Sequence, residues 1–215
     1  MSEQLSEEPG GKVNGSMVRT VKNPEERRRE ILDTAMRLFV ERGFDAVSMR
    51  DIARAADVTP GLAYHYFDSK QKLFAAALDA YVIECTEDYL LILDDAQMPL
   101  ADKIDALFTA VADEENLRYH DFFHAEGNRA FHDQLSFAFC ERMYPHLLAA
   151  LKTEARRKGV TVKDPEVLVN FITHGQLGLM SDRSMPDPHK IELMRSYVNV
   201  LIESQTVPAT SDLTS

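Results

Sequence analysis

Residues 47–78 read VSMRDIARAADVTPGLAYHYFDSKQKLFAAAL, and three helix-start signals fall inside them. Ser48-Met49-Arg50-Asp51 has the form of a capping box: the Ser48 hydroxyl is placed to accept the Asp51 amide, and the Asp51 carboxylate to reach back. Val47 and Ile52 flank it as a hydrophobic staple. Thr59-Pro60 is a cap followed by proline at the first helical position, where a missing amide hydrogen has no consequence. Asp68 or Ser69 caps a third start. The spacing therefore predicts a short helix with Met49, Ile52, Ala53 and Ala56 on its apolar face. A tight turn over Asp57, Val58 and Thr59 leads to a second short helix. Two short helices so joined are a helix-turn-helix arrangement.

Upstream, Pro24 to Gly43 places Ile31, Leu32, Ala35, Leu38 and Phe39 on one stripe, with Glu25 and Glu26 early and Gly43 as a stop. Downstream, helices are expected over 69–96, 100–116, 117–127 and 130–158. Pro99 separates the first two, Gly159 closes the last, and Pro145 is expected to kink or divide it. Asp164-Pro165 and Asp187-Pro188 repeat the cap-then-proline signature and start helices over 164–181 and 187–204. No β-branched run alternates with polar residues at period two. The fold class is therefore all-α: a three-helix unit over 24–68, a larger helical unit over 69–205, and aperiodic tails at 1–23 and 206–215.

Apolar residues make up 45% of the chain and charged residues 27%, enough for an ordinary packed core. The formal net charge of −11 argues against indiscriminate coating of nucleic acid and against a polybasic membrane binder. Its distribution is uneven: residues 1–72 carry 12 Lys/Arg and 12 Asp/Glu, residues 73–215 carry 12 and 23. Cys85 and Cys140 lie in apolar helical patterns without zinc-type spacing, as buried thiols in a reducing cytoplasm would. No signal-peptide core and no membrane-length apolar run is present, which predicts a soluble cytoplasmic protein.

The order of features from Pro24 to Leu78 closely resembles the tetracycline-repressor family. The matching features are Leu38-Phe39 before Gly43-Phe44, a capped Ile-Ala-x-x-Ala helix, a tight turn, a second capped helix ending in Tyr-x-x-Phe, then Ser-Lys. The resemblance implies a sequence-specific DNA-binding regulator whose second short helix enters the major groove. On that reading Tyr64 and His65 face DNA, with Tyr66 either beside them or packed beneath the helix. Tyrosine suits such a place, since its hydroxyl bonds phosphate and its ring contacts a thymine methyl. Pro60 and Gly61 let backbone approach the duplex, and Thr59 both caps and contacts. Ser48 and Arg50 meet phosphate or groove, and Lys70 resembles the family's phosphate-binding lysine. Leu62, Ala63 and Phe67 pack inward.

The resemblance further implies a homodimer spanning a pseudo-palindromic double-stranded operator, and a small-molecule effector. The interface is expected on the last two helices, at Val167, Phe171, Gly175, Gly178, Leu193, Tyr197, Val200 and Leu201. The effector pocket is expected to be largely apolar, lined by Phe108, Phe122, Phe123, His124, Phe131, Phe137, Met143, Phe171 and His174. The acidic balance suits a cationic apolar effector. His120 and His124 stand four apart, a metal-compatible spacing, but satisfied or solvated histidines are commoner than ligands, so no metal or cofactor is assigned. No nucleophile elbow, phosphate loop or paired metal motif points to an enzyme. The competing readings are a helical adaptor that uses the motif as a scaffold, an activator, and a metal-responsive sensor.

Overall fold

The computed structural model describes residues 23–110, 119–180 and 187–209, apart from the side chains of Glu126, Met180 and Asp187. The helices are α1 (Pro24–Arg42), α2 (Met49–Ala55), α3 (Pro60–Tyr66), α4 (Lys70–Asp94), α5 (Leu100–Ala110), α6 (His120–Phe123), α7 (Arg129–Lys158), α8 (Pro165–Gly175), α9 (Leu177–Met180) and α10 (Asp187–Gln205). A 3₁₀ turn at Glu126–Asn128 precedes α7. The chain is all-α apart from two short antiparallel strands, β1 (Val160–Val162) and β2 (Thr206–Pro208).

Two apolar cores form. The first gathers Ile31, Leu38 and Phe39 of α1, Val47 and Ile52 around α2, Ala63 of α3 and Phe67 just after it, and Leu73, Phe74 and Tyr81 of α4, together with Phe122, Phe123 and Leu135. The second gathers Tyr89 and Leu93 of α4, Ile104 of α5, Met143, Leu147 and Leu151 of α7, Val169 and Ile172 of α8, and Val198 of α10. Helices α4 and α7 contribute to both. Each fully buried aromatic or aliphatic side chain contributes about 1.5–3 kcal/mol of transfer free energy, so these stripes set how the helices associate.

The chain departs from its sequence pattern in four places. Residues 206–208, expected to be tail, pair with 160–162 in the register Thr161 opposite Val207. Of the two outcomes expected at Pro145, division of the helix does not occur; the proline is exposed, so water can take the carbonyl bond that its ring forgoes. The helix expected over 164–181 is interrupted at Gln176, whose side-chain amide donates to the Ile172 carbonyl at 2.7 Å. That is the carbonyl its own backbone amide would take in a continuing helix.

The fourth departure concerns 117–127. Residues 111–118 lie outside the described residues, and with them the end of the helix expected over 100–116. From Tyr119 onward the chain forms the four-residue α6 and the 3₁₀ turn, joined by an Asn128 side-chain bond to the Phe122 carbonyl at 2.8 Å. Phe122 and Phe123 are both 0% exposed. Two adjacent rings cannot both occupy one face of a long amphipathic helix.

Candidate nucleic-acid interface and sensor cavity

The capping box at Ser48 forms in full. The Asp51 amide donates to Ser48 Oγ at 3.2 Å, and the Ser48 amide donates to Asp51 Oδ2 at 3.0 Å. Hydrogen bonds from the Ser48 hydroxyl and then its amide hold the Asp51 carboxyl below its ordinary range. Thr59 Oγ1 accepts the Leu62 amide at 3.2 Å to start α3, and Ser69, not Asp68, caps α4 by accepting the Lys72 amide at 3.1 Å. Between α2 and α3 the corner is made by Asp57 at φ 52°, a left-handed conformation that Asp tolerates better than most residues.

These caps present one face of α3 outward. Thr59, Pro60, Gly61, Tyr64 and His65 are exposed, Tyr64 by 47%. Nothing lies within 4 Å of where a Gly61 Cβ would be, so a flat surface can approach the backbone there. Ser48 and Arg50 are exposed at the start of α2. Arg54, which the sequence pattern did not single out, joins them with a side chain 81% exposed and 3.7 Å from Asp51. Tyr66 takes the second of its two expected places, and Lys70 differs from expectation. Tyr66 packs partly buried against the first core, its ring edge-on to His65 at 5.5 Å. The Lys70 ammonium donates to the Phe44 carbonyl at 2.7 Å and lies 4.3 Å from the centre of the Phe44 ring. It is engaged with the α1–α2 turn rather than extended toward solvent.

Between α4, α5, α7, α8 and α10 lies a cavity of about 720 Å³. Tyr81, Cys85 and Tyr89 reach it from α4, and Ile104, Leu107 and Phe108 from α5. His132, Ser136, Phe139, Cys140 and Met143 face it at three- and four-residue steps along α7, with Ile172 and Thr173 of α8 and Lys190, Met194 and Val198 of α10 opposite. His120 and His124 of the α6 region complete a group of three histidines. The His120 and His124 rings stack with centres 4.3 Å apart, and His124 and His132 are 5.1 Å apart. His124 carries accessible surface and lines the cavity. Loss of bulk water there, and then the neighbouring His120 and His132, push its imidazole down to about 4. Burial, with Glu141 second, pushes the Cys140 thiol up to about 11, and its Sγ approaches the Thr173 carbonyl at 3.2 Å.

Of the nine residues expected to line a pocket, Phe108, His124 and Met143 border this cavity. Phe122, Phe123 and Phe131 do not. They form an aromatic cluster with Phe74, whose ring centre is 5.9, 6.0 and 4.7 Å from theirs, and join the first core to α7. Phe137, Phe171 and His174 lie on another side. Phe137 is off the α7 stripe that faces the cavity and 54% exposed, its ring 5.2 Å from His174, which in turn pairs with Glu141 at 3.1 Å. Cys85, Tyr81 and Tyr89 were missed, although their four-residue spacing on α4 is visible in the sequence. Among the described residues, no group of three or more His, Cys, Asp or Glu side chains is arranged to hold a metal ion.

The outer faces of α8 and α10 carry Val167, Phe171, Tyr197 and Val200, exposed by 69%, 63%, 59% and 58%. Gly175 and Gly178 are exposed beside them, whereas Leu193 and Leu201 are half-buried. Leu201 packs against the second core. Exposed apolar side chains clustered on two neighbouring helices mark an interaction surface more often than ornament.

A capped helix-turn-helix head on a helical body with a ligand-sized cavity defines the class of helical, two-part regulatory proteins. Residues 31–77 match the family described as bacterial regulatory proteins, tetR family. The match covers the head and the start of α4, and over that stretch the chain is similar to the family. Among similar proteins is the HTH-type transcriptional repressor KstR2 of Mycolicibacterium smegmatis, 37% identical over 91 residues, which cover 42% of this chain and 44% of that protein. Another is the HTH-type transcriptional regulator BetI of Rhizobium meliloti, 37% identical over 73 residues, 34% of this chain and 36% of that protein. The chain thus spans less than half the length of these curated relatives. Among solved structures, Salmonella enterica GusR is 25% identical with a TM-score of 0.55 over 85% of this chain and 98% of that one. The reduced form of Escherichia coli NemR, 18% identical with a TM-score of 0.54 over 86% of this chain and 100% of that one, shares the fold.

Proposed function

We propose that this chain is a sequence-specific DNA-binding transcriptional regulator, acting as a homodimeric repressor that a small, largely apolar effector releases from a pseudo-palindromic operator. The observation that carries the reading is the exposed set Thr59, Pro60, Gly61, Tyr64 and His65 along the first turns of α3, presented by two formed caps. Exposed donors at the start of a short second helix, with Ser48 and Arg50 at the start of the first, fit phosphate positioning and base contact in a major groove. Tyr66, partly buried against the first core, supports that set from beneath, and Lys70 serves it through the turn it holds.

The apolar face of α8 and α10 supports dimerisation through a bundle of these helices and their mates, with Gly175 and Gly178 allowing close approach. A dimer reads two half-sites about 34–36 Å apart. The cavity, within the usual range of about 300–1,000 Å³ for ligand sites, supports an effector that acts by binding one arrangement of the heads more tightly than another. Among the described residues, no helix is long and apolar enough to cross a membrane, in keeping with action on DNA in the cytoplasm.

Anisotropy titration on the DNA upstream of the chain's own gene tests the reading. A sequence-preferring site is expected, with affinity falling steeply as salt rises because phosphate contacts release counterions. Tyr64→Ala should weaken that binding about tenfold or more without lowering thermal stability. Salt-insensitive binding, or a Tyr64→Ala protein that binds like the parent, would overturn it.

A further inference from the structure

We propose that the β1–β2 ribbon is a clasp on the dimer face: it fixes how α8 and α10 sit against each other, and thereby how tightly a second copy of this chain is held. The inference rests on the reading of that face as the homodimer interface and adds the element that sets its strength.

The ribbon is built from the two segments that adjoin these helices. Left-handed residues stand at either end of β1, Gly159 at φ 63° where α7 stops and Asp164 at φ 41° where α8 starts, two sharp turns that bring β1 alongside β2. The Lys163 amide donates to the Gln205 carbonyl at 2.9 Å and the Ala209 amide to the Gly159 carbonyl at 3.4 Å, so the ladder runs one pair beyond each end of the strands. Bonded pairs alternate along an antiparallel ladder, which makes Thr161 and Val207 a third such pair. Thr206 Oγ1 donates to the Ile202 carbonyl at 2.7 Å and fastens β2 to the last turn of α10, while Lys152 meets Glu166 at 2.6 Å and fastens the first turn of α8 to α7. Val162 of β1 packs against the second core, as do Leu201 and Ile202 of α10.

Its place gives the clasp a hold on the exposed apolar face. Lys163 stands just before the start of α8 and Gln205 is the last residue of α10, so their bond joins one end of each helix. At about 1.5 Å per residue, Val167 lies about 3 Å along α8 from that end and Val200 about 7.5 Å along α10, with Phe171 and Tyr197 following at about 9 and 12 Å. Packed helices slide past one another by small shears, whereas a bonded ladder has a fixed register. Ridges and grooves of the two helices mesh with those of a mate only at a matched spacing. A two-fold contact sets the patch against its own copy, so a slip of α8 against α10 in one protomer is repeated in the other and counts twice.

Sedimentation equilibrium of the full chain without DNA, beside a variant ending at Gln205 and a Thr161→Pro variant, tests this. The first lacks β2, and the second loses a ladder bond at a position whose side chain is exposed, so the core is spared. Both should keep the parental helicity by circular dichroism while the dimer dissociation constant rises about tenfold or more. An oxidised Thr161→Cys/Val207→Cys chain, its paired Cα atoms about 5.5 Å apart and within disulfide reach, should dimerise at least as tightly as the parent. Parental dissociation constants in both ribbon variants would overturn the clasp and leave the dimer standing. Loss of the helical signal by both would also overturn it, since the ribbon would then hold the fold and not the dimer face. A parental chain that is monomeric at about 0.1 mM would overturn the dimer and the clasp together.

Discussion

The ammonium of Lys70 lies 4.3 Å from the centre of the Phe44 ring while donating to the carbonyl of the same residue at 2.7 Å. One side chain at the start of α4 thereby fixes the turn between α1 and α2, which sets where the Ser48 cap stands. Lys70→Met keeps the aliphatic stem but removes both interactions. It should cost about 1–2 kcal/mol, read as a lower urea midpoint at unchanged slope. A variant of parental stability whose DNA binding has lost about one unit of salt slope would instead make Lys70 a phosphate ligand.

The corner between α2 and α3 turns on Asp57 at φ 52°. A left-handed conformation costs a non-glycine residue about 1 kcal/mol, and a β-branched side chain more. Asp57→Gly should therefore be neutral to slightly stabilising, and Asp57→Val clearly destabilising, in thermal melts. The opposite order would mean that the Asp57 side chain holds the corner.

Phe171 and Val200 stand 63% and 58% exposed on neighbouring helices, left uncovered by the described residues of their own subunit. Phe171→Glu combined with Val200→Glu should convert the proposed dimer to a folded monomer, measured by light scattering on a sizing column with helicity by circular dichroism. A doubly substituted dimer of parental stability would place the interface elsewhere.

His124 makes stability depend on pH in a defined window. Its imidazole titrates near 4 in the folded chain and near 6.5 when unfolded. Between those values the unfolded state binds more protons, so stability falls as pH is lowered from about 6.5 toward 4. His124→Asn should flatten that part of a urea-midpoint profile, and an unchanged slope would show that other groups set it.

With its thiol raised to about 11, Cys140 is almost wholly protonated near neutrality. Alkylation by iodoacetamide at pH 8, mapped by mass spectrometry, should run about a hundredfold slower at this site than at a peptide thiol, and rise on unfolding. Rapid modification of the folded chain would contradict the packing of Sγ against Thr173.

The head was legible because its determinants are local. A cap and the amide it accepts are three residues apart, so Ser48 with Asp51 and Thr59 with Leu62 could be read without knowing any tertiary contact. Phe122 and Phe137 have the same side chain and similar neighbours in sequence, yet one is fully buried and the other 54% exposed. What separates them is which helix packs on which face, and aromatic content carries no information about that. Lys190 and Lys103 were hidden for a related reason. Lysines are rarely buried, yet Lys103 is 5% exposed with its ammonium on the Leu93 carbonyl at the end of α4, where the helix dipole favours a cation.

Helix α4 enters the first core with Leu73 and Phe74 and borders the cavity with Tyr81, Cys85 and Tyr89. At 25 residues it is a rod about 37 Å long. Such a rod is a lever: Lys70 stands 19 residues, about 28 Å, from Tyr89, so a tilt of about 7° pivoting there carries it through about 3.5 Å. That is close to the rise of about 3.4 Å between successive base pairs. Under the same tilt Tyr81, on the cavity wall and only eight residues from that pivot, moves less than half as far.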